Sequence, residues 1–502
     1  MPRHDHYDPA AMKRVASGLL PMITVDRKIP DPLHRQIYNA FRAAIVERRL
    51  RAGQRIPSTR VLAVEIGVSR FPVLNAYSQL LAEGYFQTRV GAGTVVSASL
   101  PEQLTASPVV KTKPTTSDRK PRRVALRCSQ VSALRDVPWM VHRGPFRVGQ
   151  VAFDQFPWHI WSSLVTRHAR TEDEASTHYG DPMGLHSLRR AVANYLKISR
   201  STRCEAEQIF IVSGSQQALE ITARVLLNPG DRVWVEEPNY GLARDVFAFN
   251  ECHPVPVPVD SEGMNVSLGI KKCCNARAAF VTPSHQFPLG VTLSASRRLQ
   301  LIEWAQTSGA WIIEDDYDSE YRYESRPIAS LQGLDANSRV IYIGTFSKVL
   351  FPSLRLGYIV VPVDLIDRFF AVRRVMDLGS ATFYQEVLAN FIDEGHFARH
   401  IRRMRVHYEG LRRVLFENIT TIPANRLKPV GDEAGMHLTV FLGKGHSDED
   451  LARRAVSRNL SLWPLSRLYM RKPRQGLILG FGGTTAGEIP DAVRRLRTLL
   501  DS

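Results

Sequence analysis

The sequence predicts two folded domains of different class. The first is a small, mostly α N-terminal domain with the element order of a winged helix-turn-helix. The second is a large α/β domain built on a largely parallel sheet. Three observations carry this. The chain has 502 residues, more than one ordinary hydrophobic core serves. Three helical patterns and then two short strand patterns occupy residues 30–97. From Phe146 onward, short apolar runs alternate with amphipathic helical stretches, as in a sheet flanked by helices.

Residues 1–29 read as a flexible lead-in. From Asp31 the apolar residues Leu33, Ile37, Phe41 and Ile45 recur at every fourth position, which predicts a helix ending near Gly53. Pro57-Ser58 opens a second helix with Ser58 as its cap, and Gly67 closes it. Ser69 caps a third, from Arg70 to about Glu83, stopped by Gly84. Tyr85–Arg89 and Thr94–Ser97 read as strands around Val90-Gly91-Ala92-Gly93. Residues 98–145 lose all periodicity and turn rich in Thr, Ser, Pro, Lys and Arg, the composition of a basic linker. In 146–502, the runs Gln208–Val212, Arg232–Glu236, Ala278–Thr282, Ala310–Glu314 and Arg339–Gly344 predict strands. Helical stretches such as Ala218–Leu227 and Ala295–Gln306 separate them.

The net charge is +17 and is unevenly placed. Residues 1–145 hold 23 Lys/Arg against 10 Asp/Glu, a net of +13, which leaves +4 for the rest. Such asymmetry points the front end at a polyanion. The cluster Lys120–Arg127 either meets phosphates or keeps the linker extended. In a helix-turn-helix the first turn of the third element faces base edges in the major groove of double-stranded DNA. That turn here is Ser69-Arg70-Phe71-Pro72. Ser69 and Arg70 are the candidate contacts, Arg60 a backbone contact, and Gly91 and Gly93 allow close approach of the wing. The five cysteines show no metal-ligand spacing, so no metal is expected. There is no apolar signal core at the start and no apolar run of membrane-spanning length, so a cytoplasmic protein is expected.

Four features of the second domain stand in one order. Ser213-Gly214-Ser215-Gln216 follows a strand and opens a helix, which aims backbone N–H groups at an anion. Tyr240 can cover a planar ring. Asp315 and Tyr317 end a strand, where open α/β sheets bind ligands. Lys348 follows another strand, with hydroxyls at Thr345 and Ser347 and a guanidinium at Arg355. Pyridoxal 5'-phosphate requires such a set: a lysine for a Schiff base, a carboxylate on its pyridinium nitrogen, a phosphate cradle and an aromatic cover.

The stretch RIPSTRVLAVEIGVSRFPVLNAYSQLLAEGYFQTRVGAGTVV resembles the GntR-type winged helix. Residues 146–502 resemble the fold type I, PLP-dependent transferase-like fold of class I aminotransferases. That match runs through Tyr179-Gly180-Asp181-Pro182-Met183-Gly184, the Ser-Gly-Ser-Gln turn, Glu-Pro-Asn-Tyr240, Asp315, Tyr317, and Lys348 with Arg355. The combination resembles the MocR subfamily of GntR regulators. The resemblance implies a homodimer, Tyr179 near the cofactor, and aldimine exchange at Lys348 with a small amine or amino-acid effector. Aminotransferases place an asparagine where Ser284-His285-Gln286-Phe287-Pro288 has Phe287; His285 then faces the cofactor. Arg474 is the candidate for an effector carboxylate, with Arg471 next. A cofactor-dependent regulator and an aminotransferase with an accessory DNA-binding domain both fit this set.

Overall fold

The computed structural model describes residues 23–89, 93–98, 123–131, 141–171, 178–323, 328–431 and 434–501. Gly91, most of the lead-in and much of the linker lie outside the described residues. The chain divides into two units, Met1–Arg122 and Arg123–Ser502.

In the first unit the predicted period forms helix α1 (Leu33–Val46), whose Ile37, Phe41, Ala44 and Ile45 are buried. Helices α2 (Thr59–Glu65) and α3 (Arg70–Ala82) follow. Strands β1 (Phe86–Arg89) and β2 (Gly93–Val96) pair antiparallel, Phe86 opposite Val96. Phe41, Tyr77 and Phe86 meet edge-to-face, with centroids 5.3–5.6 Å apart, and lock α1, α3 and β1 into one core. Ser58 caps α2, accepting from the Val61 N–H. Ser69 stands at the start of α3, but its side chain makes no capping hydrogen bond. Of the two N–H groups a cap can bond, the second and the third of the helix, Pro72 removes the third.

The second unit holds an eight-stranded sheet and a four-stranded one. The first comprises β3 (Ile209–Val212), β4 (Arg232–Glu237), β5 (His253–Asp260), β6 (Gly263–Met264), β7 (Ala278–Val281), β8 (Trp311–Asp316), β9 (Val340–Thr345) and β10 (Gly357–Val360). Their order is β3-β10-β9-β8-β7-β4-β5-β6. Strands β9, β8, β7, β4 and β5 run parallel; β10 is antiparallel to both neighbours, as is β6 to β5. The central strands are buried on both faces, hence their unbroken apolar runs. The second sheet, β11 (Leu427–Val430), β12 (His437–Leu442), β13 (Trp463–Pro464) and β14 (Gly476–Gly480), is antiparallel.

Beyond the predicted runs, β6, β10 and the antiparallel strands β11, β12 and β13 were not legible as strands. Nor was β5, whose Pro254, Pro256 and Pro258 argue against a strand. Because N–H directions alternate, the prolines place their missing donors on one side, and the Asp231 carbonyl receives the His253 N–H on the other. The outer edge is thereby blunted beyond the short pairing with β6. The end of the linker also differs from a simple spacer. A 3-10 turn, Leu126–Gln130, leads the second unit, and the Arg127 guanidinium lies over the Phe249 ring at 5.5 Å. Among the described residues no helix is long and apolar enough to cross a membrane.

Candidate cofactor site

The parallel strands end at one rim, and the site is assembled there. β8 delivers a run of acids, Glu314-Asp315-Asp316, all buried. A run of acids is ordinarily a solvated edge; here each member has its own environment. Glu314 accepts the backbone N–H groups of Leu331 and Gln332, both at 3.0 Å. Asp316 forms an ion pair with Arg200 at 2.7 Å and receives the Tyr342 hydroxyl at 2.5 Å. Burial alone would lower the Arg200 pKa, but the Asp316 charge outweighs it and the guanidinium is held above its ordinary value. Asp315 alone turns to the cavity. Burial, then the Asp316 and Asp318 charges, push its carboxyl up to about 7, with Lys348 pulling the other way. Its Oδ1 is buried and has no hydrogen-bond partner.

Lys348 lies just beyond β9. Burial holds its amine below the ordinary lysine value, against the opposing pull of Asp318 and Asp315. Its Nζ is 3.4 Å from the Gly149 carbonyl. A Cβ on Gly149 would come within 2.9 Å of Nζ, so glycine keeps this approach open. Across the cavity, β3 ends at Ser213-Gly214 and a helix starts at Ser215. Gly214 has φ +87, and a Cβ there would press on the Arg355 guanidinium at 3.1 Å. Arg355 donates to the Ser213 carbonyl at 2.6 Å. Thr345 and Ser347 exchange a hydroxyl contact of 3.1 Å.

The result is one cavity of about 240 Å³. Lys348, Asp315, Tyr317, Tyr240, Ser215, Gln216, Thr345, Ser347 and Arg355 all line it. So do residues for which the sequence offered no signal: Gly149, Thr282, Met436, His437 and Trp463. Asp318, a further acid of the Asp-Asp-Tyr-Asp run, lines it too. Phe287, in the position expected for asparagine, forms wall and meets Tyr240 edge-on at 5.8 Å.

Three expected residues do not reach this cavity. His285 is not in its lining; it is buried behind Tyr317, whose hydroxyl oxygen is 2.9 Å from His285 Nδ1. Tyr179 is 89 % exposed at the surface of the unit. Arg474 lies with its guanidinium 3.5 Å from the Phe441 ring centroid, a stacking contact that holds it outside the lining. Although the cysteines have no metal spacing, the fold gathers His285, Asp318 and His437, with one ligand atom of each lying within 4.8 Å of the others. His285 and Asp318 already bond each other there.

The donor set suits pyridoxal phosphate. An unpartnered buried carboxylate oxygen suits a pyridinium N–H. A desolvated lysine suits an aldehyde. A helix start beside hydroxyls and a guanidinium suits a phosphate.

In the first unit, Arg60, Ser69 and Arg70 are exposed. Arg70 Nε donates to Thr59 Oγ1 at 3.1 Å, tying the start of α3 to that of α2. Phe71, also in the first turn, is 70 % exposed.

Residues 147–489 match the family of aminotransferases class I and II, and residues 33–96 the bacterial regulatory proteins of the gntR family. The chain is 39 % identical over 480 residues to the probable rhizopine catabolism regulatory protein MocR of Rhizobium meliloti, covering 95 % of each. It is 29 % identical over 474 residues to the pyridoxine biosynthesis transcriptional regulator PdxR of Corynebacterium glutamicum, covering 92 % of this chain and 96 % of that one. Its second unit resembles LysN, the α-aminoadipate aminotransferase of Thermus thermophilus, solved with N-(5'-phosphopyridoxyl)-L-leucine. The TM-score is 0.69 at 25 % identity, over 75 % of this chain and 97 % of that one.

Proposed function

The chain belongs to the aminotransferase class I and II family and carries a gntR-family domain ahead of that module, and from this premise we propose that it is a pyridoxal 5'-phosphate-dependent, DNA-binding transcriptional regulator. The observation that carries the reading is the convergence of Lys348, Asp315, Tyr317, Tyr240 and Arg355 on one cavity in a chain that also folds a winged helix.

When bound, the cofactor supplies an electrophilic aldehyde carbon for a primary amine. The residues of the chain do the rest. Lys348, desolvated and so more readily neutral, is the resident amine. Asp315 Oδ1 would accept the ring N–H of the bound cofactor, which would favour the ionised carboxylate over the protonated form. Ser215, Gln216, Ser347 and Arg355 would hold the phosphate. Tyr240 would cover the ring and Tyr317 would bond its phenolic oxygen. An incoming small amine or amino acid competes with Lys348, and it shifts the protein only by binding one arrangement of the large unit better than another. The winged helix reads duplex DNA through Arg60, Ser69 and Arg70, and the functional unit is a homodimer.

A second reading, an aminotransferase with a DNA-binding arm, draws on the retained Lys348–Asp315 pair. Genomic footprinting with and without added cofactor, alongside a steady-state assay over amino-acid and keto-acid pairs, separates the two. Cofactor-dependent footprints with a spectral response but no turnover support the regulator. Rapid turnover with no change in footprint supports the enzyme.

A further inference from the structure

His285 is buried, yet it touches neither solvent nor the cavity. Its Nδ1 has two neighbours: the Asp318 carboxylate, with oxygens at 3.0 and 3.2 Å, and the Tyr317 hydroxyl oxygen at 2.9 Å. Its Nε2 is buried with no partner. A carboxylate only accepts, so the short contact to Asp318 requires the proton on Nδ1. A proton on Nε2 would be a buried donor with no acceptor, which is costly. The ring is therefore an Nδ1–H donor, and Nδ1 has no lone pair to offer Tyr317. The Tyr317 hydroxyl proton must point elsewhere, and the open direction is the cavity that Tyr317 lines.

The surroundings hold this arrangement. Gly435, at φ +78, lies so close to the His285 ring that a Cβ there would collide with it. His437, with its ring centroid 4.9 Å from that of His285, is kept uncharged: chiefly burial lowers its pKa to about 3. Its Nε2–H is spent on the Pro288 carbonyl at 3.1 Å. The charged or titratable groups around the pair include Asp318 and Tyr317 after β8, Asp315 and Asp316 on it, His437 on β12, and Lys348, Glu236 and Tyr323 nearby.

We propose that His285, fixed by Asp318, is a positioning residue that presets the Tyr317 hydroxyl as a donor into the cavity, where it holds the cofactor's phenolic oxygen in its ionised form. This takes the place of a second donor at the position where Phe287 stands. The inference rests on the cofactor reading above.

The test is the pH midpoint of the visible absorption change of the cofactor-loaded full chain. In His285→Leu the overall charge is unchanged but Tyr317 is free to turn towards Asp318, so the midpoint rises by about one pH unit, a tenfold change. Tyr317→Phe gives a rise of similar size. In the double variant the His285 change adds nothing, because His285 acts through Tyr317. His285→Asn, whose amide N–H can replace Nδ1–H, keeps the midpoint of the unsubstituted protein. An unmoved midpoint in His285→Leu overturns the proposal. So does a shift that persists in the Tyr317→Phe background, which would report the Asp318 charge instead. Should His285→Leu not fold, nitrogen-15 histidine NMR of the unsubstituted protein reads the tautomer: Nδ1–H supports the proposal and Nε2–H overturns it. A protein with no visible band at all overturns the cofactor reading and is distinguishable from either result.

Discussion

The two units present their functional residues in opposite ways. On the winged helix, Arg60, Ser69, Arg70 and Phe71 are exposed, and Arg70 is restrained by one hydrogen bond to the neutral Thr59 hydroxyl. In the large unit, Asp315 is buried and Lys348 and Tyr317 are half-buried among charges and fixed rings. An exposed arginine acts by charge and reach, in high dielectric and subject to salt. A buried lysine or aspartate has its chemistry set by what desolvates it. Binding by the first should therefore be divisible into modest, separable contributions, whereas single changes in the second should act almost as on–off events.

The sharpest break available is Lys348→Ala. Borohydride reduction of cofactor-loaded protein, followed by mass measurement, should show the covalent adduct in the parent chain and none in the variant. An adduct that persists would move the anchoring amine elsewhere. Next in size is Arg200→Met. It leaves Asp316 charged, buried and without its ion-pair partner, which should cost about 3–5 kcal/mol in denaturant unfolding of the large unit. Arg70→Ala should leave stability within about 0.5 kcal/mol, since no buried charge depends on it. If the two losses were alike, the contrast between the units would fail.

The pH dependence sharpens the same contrast. In the cofactor-free chain Asp315 has a folded-state pKa of about 7 against an ordinary 3.8. Folding thus favours its protonated form. The stability this contributes is complete below about pH 3.8 and is lost as pH rises through about 7. Glu236, Glu314 and Glu320, each pushed to about 7 mainly by burial, work in the same sense. Asp315→Asn should flatten part of the fall in Tm between about pH 4 and about pH 7. Loading the cofactor should flatten it too, because a donor on Oδ1 stabilises the carboxylate.

What was legible in the sequence follows the same division. The winged helix could be read element by element, because caps, glycines and a four-residue apolar period are local signals. Nine residues that line the cavity could be read because most of them follow a strand or open a helix at the shared rim. His437 and Trp463 could not: β12 and β13 reach the cavity only through the antiparallel sheet, and no spacing links them to Lys348. Tyr179 and Arg474 were placed by likeness to relatives; in this structure Tyr179 is exposed and Arg474 lies over the Phe441 ring. The roles within the acid run were also hidden, since Arg200 reaches Asp316 from a distant helix.

On the DNA side the effects are smaller and should separate by type. Arg70→Ala should weaken operator binding by about 1–3 kcal/mol and relax one base position if the guanidinium reads a guanine. If it meets a phosphate, the loss should be uniform across sequences and the salt slope should fall by about one. A fluorescence titration at several salt concentrations distinguishes the two.

Phe71 should give the smallest effect and the most specific one. It occupies the second position of α3, where Pro72 beside it removes one of the two N–H groups a cap can bond, and it is 70 % exposed. A phenyl ring in the first turn of a recognition helix has no hydrogen bond to offer a base edge. What it can recognise in the major groove is the methyl group of thymine. Replacing the contacted thymine by deoxyuridine removes that methyl alone and should cost about 0.8 kcal/mol, roughly fourfold in affinity. In Phe71→Ala the two operators should bind equally. If the alanine variant still prefers thymine, the methyl is read by another side chain, and the exposed ring of Phe71 serves a contact other than the base.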